Sequence, residues 1–157
     1  MEIELLTIGK TGGKYLAAGI EDYCKRLRRY VPYRITELPD VRNAGKLSEA
    51  EQKEAEGQQI LAHLSASDHV TLLDERGDML TSRGFSQKLQ KMMASGRKRI
   101  VFVVGGPYGF SPAVYARADW KLSLSEMTFS HEMVRLFFTE QIYRAMTILR
   151  GEPYHHD

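Results

Sequence analysis

A histidine and an arginine one helical turn apart form a notable polar pair in this sequence. The run from His131 to Arg135 begins like the zinc-protease helix motif, in which two histidines four residues apart bind the metal. Arginine stands where the second histidine is required and does not bind zinc, so the sequence excludes this type of metal hydrolysis. His131 and Arg135 still share a helix face. Two interpretations stay open: a polar pair that faces an anionic or nucleotide substrate, or a helix start packed near the surface.

A second candidate site is the glycine-rich segment Val104-Gly105-Gly106-Pro107-Tyr108-Gly109. It follows a strongly apolar run, and glycines in such a position allow a ligand to approach the backbone closely. Valine at position 104 breaks the dinucleotide-binding pattern, and no segment matches the phosphate-binding P-loop. The pattern alone favours a ligand-binding loop and a structural tight turn equally.

Other groups with metal-binding or nucleophilic chemistry give weak signals. His155 and His156 are adjacent in the last residues, where a solvated tail is the simpler interpretation, and the sequence predicts no metal site. Cys24 is the single cysteine, so it forms no internal disulfide. Its position in an apolar helical pattern predicts a small buried hydrophobic side chain.

Alternating strands and helices are expected to position these groups. Predicted strands cover 2–9, 33–38, 69–74, 99–104 and 121–125, and predicted helices cover 14–30, 48–64, 82–96, a segment starting at 111–112, and 130–150. Residues 76–78 are predicted to turn the chain and residues 41–46 to form a loop. This order predicts one α/β domain over residues 1–157, with a mostly parallel sheet flanked by helices.

The predicted sheet also indicates where a ligand binds. The unalternating apolar run from Ile100 to Val104 is typical of a central parallel strand that is covered on both faces. Ligands of such sheets bind at the carboxyl ends of strands. The loops after Leu73, Val104 and Leu124 are therefore the expected binding edge.

Composition and charge set limits on the class of protein. With 43% hydrophobic and 27% charged residues, the chain is neither disordered nor fibrous. A net charge of +2 does not by itself indicate nucleic-acid binding. The basic clusters at 25–29 and 97–99 are expected to be mostly solvated, with a flat phosphate-binding surface as the alternative. The first residues are acidic and lack the features of a signal peptide or membrane span, which predicts a cytoplasmic protein without membrane contact.

The last predicted helix is apolar around most of its circumference. Its apolar residues are Val134, Leu136, Phe137, Phe138, Ile142, Tyr143, Ala145, Met146, Ile148 and Leu149. A helix of this kind is buried on more sides than one sheet face can cover. The pattern favours packing against a partner subunit, and thus an oligomer.

Several motifs spread over nearly the whole chain give the sequence a family resemblance. They are Ile8-Gly9-Lys10, Leu72-Leu73-Asp74 followed by Gly77, Gly105 to Gly109, Leu122 to His131, Val134-Arg135, Glu140 to Ala145, and Pro153-Tyr154-His155. Together they resemble the SPOUT class of knotted methyltransferases. Within that class, the sequence is similar to the family that methylates N3 of a pseudouridine in large-subunit ribosomal RNA.

The resemblance implies a fold, a cofactor and partners. The fold would contain a trefoil knot in the carboxyl-terminal half, an exception to unthreaded connections. S-adenosylmethionine would lie in the knot, and the partners would be a second copy of the chain and ribosomal RNA, read in the assembled ribosome. The residues implied to bind the cofactor are Leu73, Gly105, Leu124, Ser125, Glu126, Met127, Thr128 and Phe129.

The resemblance also implies direct methyl transfer to a ring nitrogen without a covalent enzyme intermediate. His131, Glu140 and His155 are the candidates for removing the N3 proton. Arg135 and Arg144 would hold a phosphate or stabilise an anionic base, and replacing Arg135 is expected to lower methyl transfer more than folding. The alternatives are a methyltransferase acting on another RNA or on protein, a nucleotide-binding module without catalysis, and a purely structural protein.

Overall fold

The computed structural model describes all 157 residues and contains five strands and five α-helices. The strands are β1 (Glu2–Ile8), β2 (Tyr33–Leu38), β3 (His69–Met79), β4 (Arg99–Val104) and β5 (Trp120–Ser123). The helices are α1 (Lys14–Leu27), α2 (Glu49–His63), α3 (Ser82–Met93), α4 (Pro112–Arg117) and α5 (Met133–Leu149), and one turn of 3-10 helix spans Ala44–Lys46. The predicted alternation of strands and helices is confirmed.

All five strands form one parallel sheet in the order β2-β1-β4-β3-β5. The apolar strand β4 lies in the centre, as its unalternating sequence predicts, and Ile100 to Phe102 are 0% exposed. The α/β class and the parallel sheet are therefore confirmed. The knot stays a prediction from the resemblance.

Helices cover both faces of the sheet. On one face, alternate strand residues such as Leu5 and Phe102 pack with α1, α3 and α5 in a large apolar core. On the other face, Leu6 and Val103 pack with α2 and α4 in a smaller core. Because strand side chains alternate between faces, each buried strand supplies both cores.

Strand β3 runs five residues further than the sequence predicts. Residues 76–78 continue the strand instead of turning the chain, and pairing with β5 shifts register between Leu73 and Asp78. Gly77 lies against the backbone of β5, where a Cβ atom would stand 2.6 Å from the nitrogen of Leu122. The predicted turn was wrong because this close approach between strands is a tertiary feature.

The basic run at 97–99 is less solvated than expected. Arg99 lies at the amino-terminal edge of the sheet with an 18% exposed side chain, 3.2 Å from Glu4 and 2.6 Å from Asp68. Glu4 is fully buried, and it also contacts Arg34 and His63. The Arg99 guanidinium contributes to holding the pKa of Asp68 below its usual range, against the opposing effect of burial. Arg99 thus belongs to a buried ion-pair network.

Cys24 is only half-buried, so its predicted burial is met in part. None of the helices is long and apolar enough to cross a membrane.

Candidate active site

A cavity of about 690 Å³ opens at the carboxyl-terminal edge of the sheet. Its walls come from the segments that follow β3, β4 and β5, and from the residues that lead into α5. These are the three loops that the sequence indicates as the binding edge. The parallel arrangement brings them together because the carboxyl ends of all strands meet on one side.

Most of the residues predicted to bind a cofactor share this cavity. Seven of the eight line it: Leu73, Gly105, Leu124, Ser125, Met127, Thr128 and Phe129. Glu126, the eighth, is exposed and lies outside the lining. The segment is held by local hydrogen bonds, since the Ser125 hydroxyl accepts from the backbone nitrogen of Met127 at 3.0 Å.

The glycine-rich segment after β4 forms a compact turn against the cavity. Gly109 has a φ of +82°, which a side chain would disfavour, and its nitrogen donates to the Gly106 carbonyl at 3.2 Å. A Cβ atom on Gly105 would lie 3.1 Å from the ring of Phe110. The segment is therefore a tight turn that forms part of the cavity wall, and its role as a ligand-binding loop stays a prediction.

The cavity mixes apolar and polar side chains, since ten of its 24 lining residues are hydrophobic. Leu73 and Leu124 are half-buried, whereas Met127 is 78% exposed at the rim. The Tyr115 hydroxyl donates to Asp74 at 2.5 Å, and burial together with this carboxylate raises the pKa of Tyr115 to about 12. Apolar side chains with polar groups placed among them are a feature of cofactor sites.

Of the four candidate catalytic residues, only His131 reaches this cavity. His131 is exposed and lines the cavity just before α5 begins. Its imidazole is therefore open to a ligand bound there.

Arg135 points away from the cavity into the chain. Its side chain is 1% exposed and donates to the carbonyls of Ile8 and Gly9, both at 2.9 Å. It also lies 3.2 Å from Glu37, and burial lowers its pKa against the opposing effect of that carboxylate. The guanidinium thus fastens the end of β1 to the start of α5. His131 and Arg135 therefore do not form one polar pair that faces a substrate in the cavity, and Arg135 does not lie there to hold a phosphate.

Glu140, Arg144 and His155 lie together at a second place. Arg144 donates to Glu140 at 2.6 Å and to Nδ1 of His155 at 3.0 Å, and Tyr154 donates to Glu140 at 2.8 Å. None of the four lines the cavity. A rise of 1.5 Å per residue places Glu140 and Arg144 about 10–16 Å along α5 from its first residue, which adjoins the cavity.

Sequence reasoning missed one carboxylate beside the glycine turn. Glu56 of α2 is 4% exposed, its Oε1 has no hydrogen-bond partner, and its carboxylate lies where a Cβ of Gly106 would be. Burial raises the pKa of Glu56, and the nearby charge of Asp40 adds to this effect. Glu56 lies four residues before Ile60 and shares its face of a largely polar helix. This spacing is the sequence signal that indicates a buried Glu56.

The residues present suit an organic ligand better than a metal ion. No group of three or more metal-binding side chains occurs in the chain. The cavity instead offers apolar side chains, glycine backbone and flanking carboxylates within one volume. Such a surface can hold a nucleoside-like molecule by stacking and backbone hydrogen bonds.

Comparison with known proteins identifies the class. A family model described as predicted SPOUT methyltransferase matches residues 1–155, and the chain belongs to this family of methyltransferases. The family implies a methyl donor.

Relatives of known name share the full length of the chain. It is 57% identical over 156 residues to ribosomal RNA large subunit methyltransferase H of Flavobacterium johnsoniae, covering 99% of each chain. It is 57% identical to the protein of the same name from Porphyromonas gingivalis over 157 residues, with 100% of both chains covered. The Bacteroides thetaiotaomicron protein of that name is 46% identical, again over 100% of both chains.

Proposed function

We propose that this protein transfers a methyl group from S-adenosylmethionine to N3 of a pseudouridine in large-subunit ribosomal RNA, within the assembled ribosome. The observation that carries the proposal is the cavity at the carboxyl ends of β3, β4 and β5. Seven of the eight residues that the family resemblance implies as cofactor-binding line this cavity. The full-length relatives of the chain are named as ribosomal RNA large subunit methyltransferases.

The cavity has the chemistry to hold S-adenosylmethionine. Leu73 and Leu124 offer apolar contacts for an adenine ring, and the backbone around Gly105 and Met127 offers hydrogen bonds to its edge. The lining carries three carboxylates against two basic side chains, a net negative charge that favours a cationic ligand. When bound, this donor supplies a methyl group that is electrophilic because it is attached to a sulfonium.

The chain must orient the accepting nitrogen and help to remove its proton. Alignment of the two reactants lowers the barrier by removing orientational freedom in advance. His131 is exposed at the cavity wall, and we assign it the contact with the base and the acceptance of the N3 proton. Asp74 is a weaker choice because its Oδ2 already accepts from Tyr115.

A homodimer is the arrangement in which the two groups of candidate residues can act together. Within one chain, the cluster of Glu140, Arg144 and His155 is too far along α5 to touch a base held beside His131. The exposed rings of Phe129 and Phe137 contact each other near the cavity rim, with their centroids 5.0 Å apart and their planes tilted by 45°. An apolar face beside a site favours a second copy that covers it and brings its own cluster to the cavity.

The test is methyl transfer from labelled S-adenosylmethionine. Intact ribosomes, separate large subunits and stripped ribosomal RNA, all from cells lacking the protein, serve as acceptors. We expect label in large-subunit RNA, with intact ribosomes as the best acceptor, and we expect a His131→Asn variant to bind the donor normally but to transfer about 100-fold more slowly. His156→Asn, in the exposed tail, is the matched control.

Two other results of the methyl-transfer assay would each support an alternative function. Transfer only to another RNA would contradict the assigned substrate but keep the methyltransferase. Donor binding without transfer to any acceptor would favour a nucleotide-binding module.

A further inference from the structure

A second surface with a distinct character lies at the opposite end of the sheet from the cavity. A smaller cavity of about 350 Å³ is lined there by Glu2, Arg28, Arg29, Tyr30, Val31, Pro32, Tyr33 and Arg34. It is formed where α1 ends and where β1 and β2 begin. Within one chain, the amino-terminal edge of a parallel sheet is remote from its usual ligand edge, so this surface lies apart from that chain's own cavity.

The basic side chains around this cavity fall into two groups. Lys25 and Arg26 form ion pairs with Glu21 and Asp22 one turn earlier in α1, at 3.3 and 3.2 Å. Arg34 is likewise held by carboxylates, 2.9 Å from Glu2. Their charges are therefore largely compensated within the chain.

Arg28 and Arg29 form no ion pair, and both are exposed. Arg150 joins them from the end of α5, since its Nη2 donates to the Arg29 carbonyl at 3.0 Å. Its guanidinium lies over the ring of Tyr30, 4.4 Å from the centroid. Stacking on a half-buried ring orders the guanidinium and leaves most of its donors free.

Two carboxylates lie nearby, and neither forms an ion pair with Arg28, Arg29 or Arg150. Glu2 is paired with Arg34, and Glu152 accepts from the Tyr30 hydroxyl at 2.5 Å. Three guanidiniums without a carboxylate partner thus share one open surface, which we name the arginine surface: Arg28, Arg29 and Arg150. Arginine binds phosphate oxygens in a forked, two-bond geometry, which makes a phosphate group the fitting ligand.

We propose that the arginine surface binds backbone phosphates of the RNA substrate. This inference rests on the proposed function, because the RNA it engages is the substrate. Strand β1 spans seven residues, so the surface lies about 20 Å or more from the cavity of the same chain across the sheet. Phosphate contacts at this distance position the substrate and supply affinity, and they take no part in the transfer step.

The test compares two double variants with the same loss of charge. Arg28→Gln/Arg29→Gln removes the two unpaired arginines on the loop, and Lys88→Gln/Lys91→Gln removes two exposed lysines of α3 as the control. Steady-state methyl transfer to intact ribosomes gives KM and kcat, and ribosome binding over a range of KCl gives the salt dependence. Thermal melts and S-adenosylmethionine binding verify that each variant is folded.

We expect Arg28→Gln/Arg29→Gln to raise KM for ribosomes about tenfold, with kcat and donor affinity within twofold of the parent protein. The slope of log binding constant against log salt should fall by about 1.5–2, because each lost phosphate contact removes nearly one released counterion. Adding Arg150→Gln should raise KM further. Lys88→Gln/Lys91→Gln should change KM and the salt slope much less.

Two results would overturn the proposal. One is a KM and salt slope equal to those of the lysine control; the other is a fall in kcat with KM unchanged. If the change instead abolished binding to vesicles of anionic lipid while leaving ribosome binding intact, the surface would serve a membrane and not RNA. Failure of the parent protein to methylate any ribosomal acceptor would instead refute the proposed function, so the two failures are distinguishable.

Discussion

At the scale of single residues, the structure gives Arg135 and His131 different tasks although they lie one turn apart. His131 is exposed at the cavity, whereas Arg135 is buried and bonded to the end of β1. A guanidinium that satisfies two backbone carbonyls and a nearby carboxylate acts through the loop that it holds. Arg135 is therefore a positioning residue for the segment Gly9–Gly13.

Replacing Arg135 tests this assignment. We expect Arg135→Ala to lower the free energy of unfolding by about 2–4 kcal/mol, because it leaves buried acceptors without a charged donor. Arg135→Lys should be intermediate, since one ammonium cannot reach both carbonyls in the same forked geometry. Urea unfolding of these variants and of exposed Arg42→Ala, as the control, provides the measurement. Unchanged stability with lost methyl transfer would restore the direct substrate role indicated by the sequence.

Glu56 has a pH-dependent effect on stability. Burial raises its pKa in the folded state, so its contribution to stability is greatest when it is protonated and declines as pH rises through the folded pKa. Glu56→Gln stays neutral at every pH. We expect the melting temperature of the variant, relative to the parent, to increase between about pH 4 and about pH 8. A relative melting temperature that falls over this range would show that the ionised carboxylate has a partner that stabilises it.

At the scale of elements, the extension of β3 is the feature that shapes one side of the cavity. The strand continues through Gly77 and pairs with β5 in a second register, which directs Asp74 to Arg76 toward the cavity. The absence of a side chain at Gly77 is what allows the two backbones to approach.

A methyl group at position 77 should therefore disturb the sheet edge. We expect Gly77→Ala to cost about 1–3 kcal/mol, because the new Cβ would stand 2.6 Å from backbone atoms of β5 that cannot move independently. Gly45→Ala is the control, since its Cβ would meet no atom within 4 Å. Thermal denaturation compares them; equal melting temperatures would mean that β5 shifts freely.

At the scale of the whole molecule, the distance between His131 and the Glu140-Arg144-His155 cluster leads to a prediction about the subunits of a dimer. If the cavity of one subunit works with the Glu140-Arg144-His155 cluster of the other, then His131→Asn and Arg144→Gln damage different halves of each site. Mixing the two inactive homodimers under exchange should restore about a quarter of the parent activity, because half of the dimers are mixed and each has one intact site. Activity that stays at the level of the separate variants would place both residues in the same subunit's site, or in no shared site.

The sequence by itself determined the α/β class, the central position of β4 and the edge of the sheet that carries the cavity. These features follow from local rules, since apolar runs, helix caps and glycines act within a few residues of one another, and parallel strands align their carboxyl ends. Only the tertiary structure decided the second register of β3, the inward turn of Arg135, the buried pairing of Arg99 and the burial of the Glu56 carboxylate. Each of these depends on an atom from a distant part of the chain. A long polar side chain can be buried or exposed, and the residues next to it in sequence do not decide which.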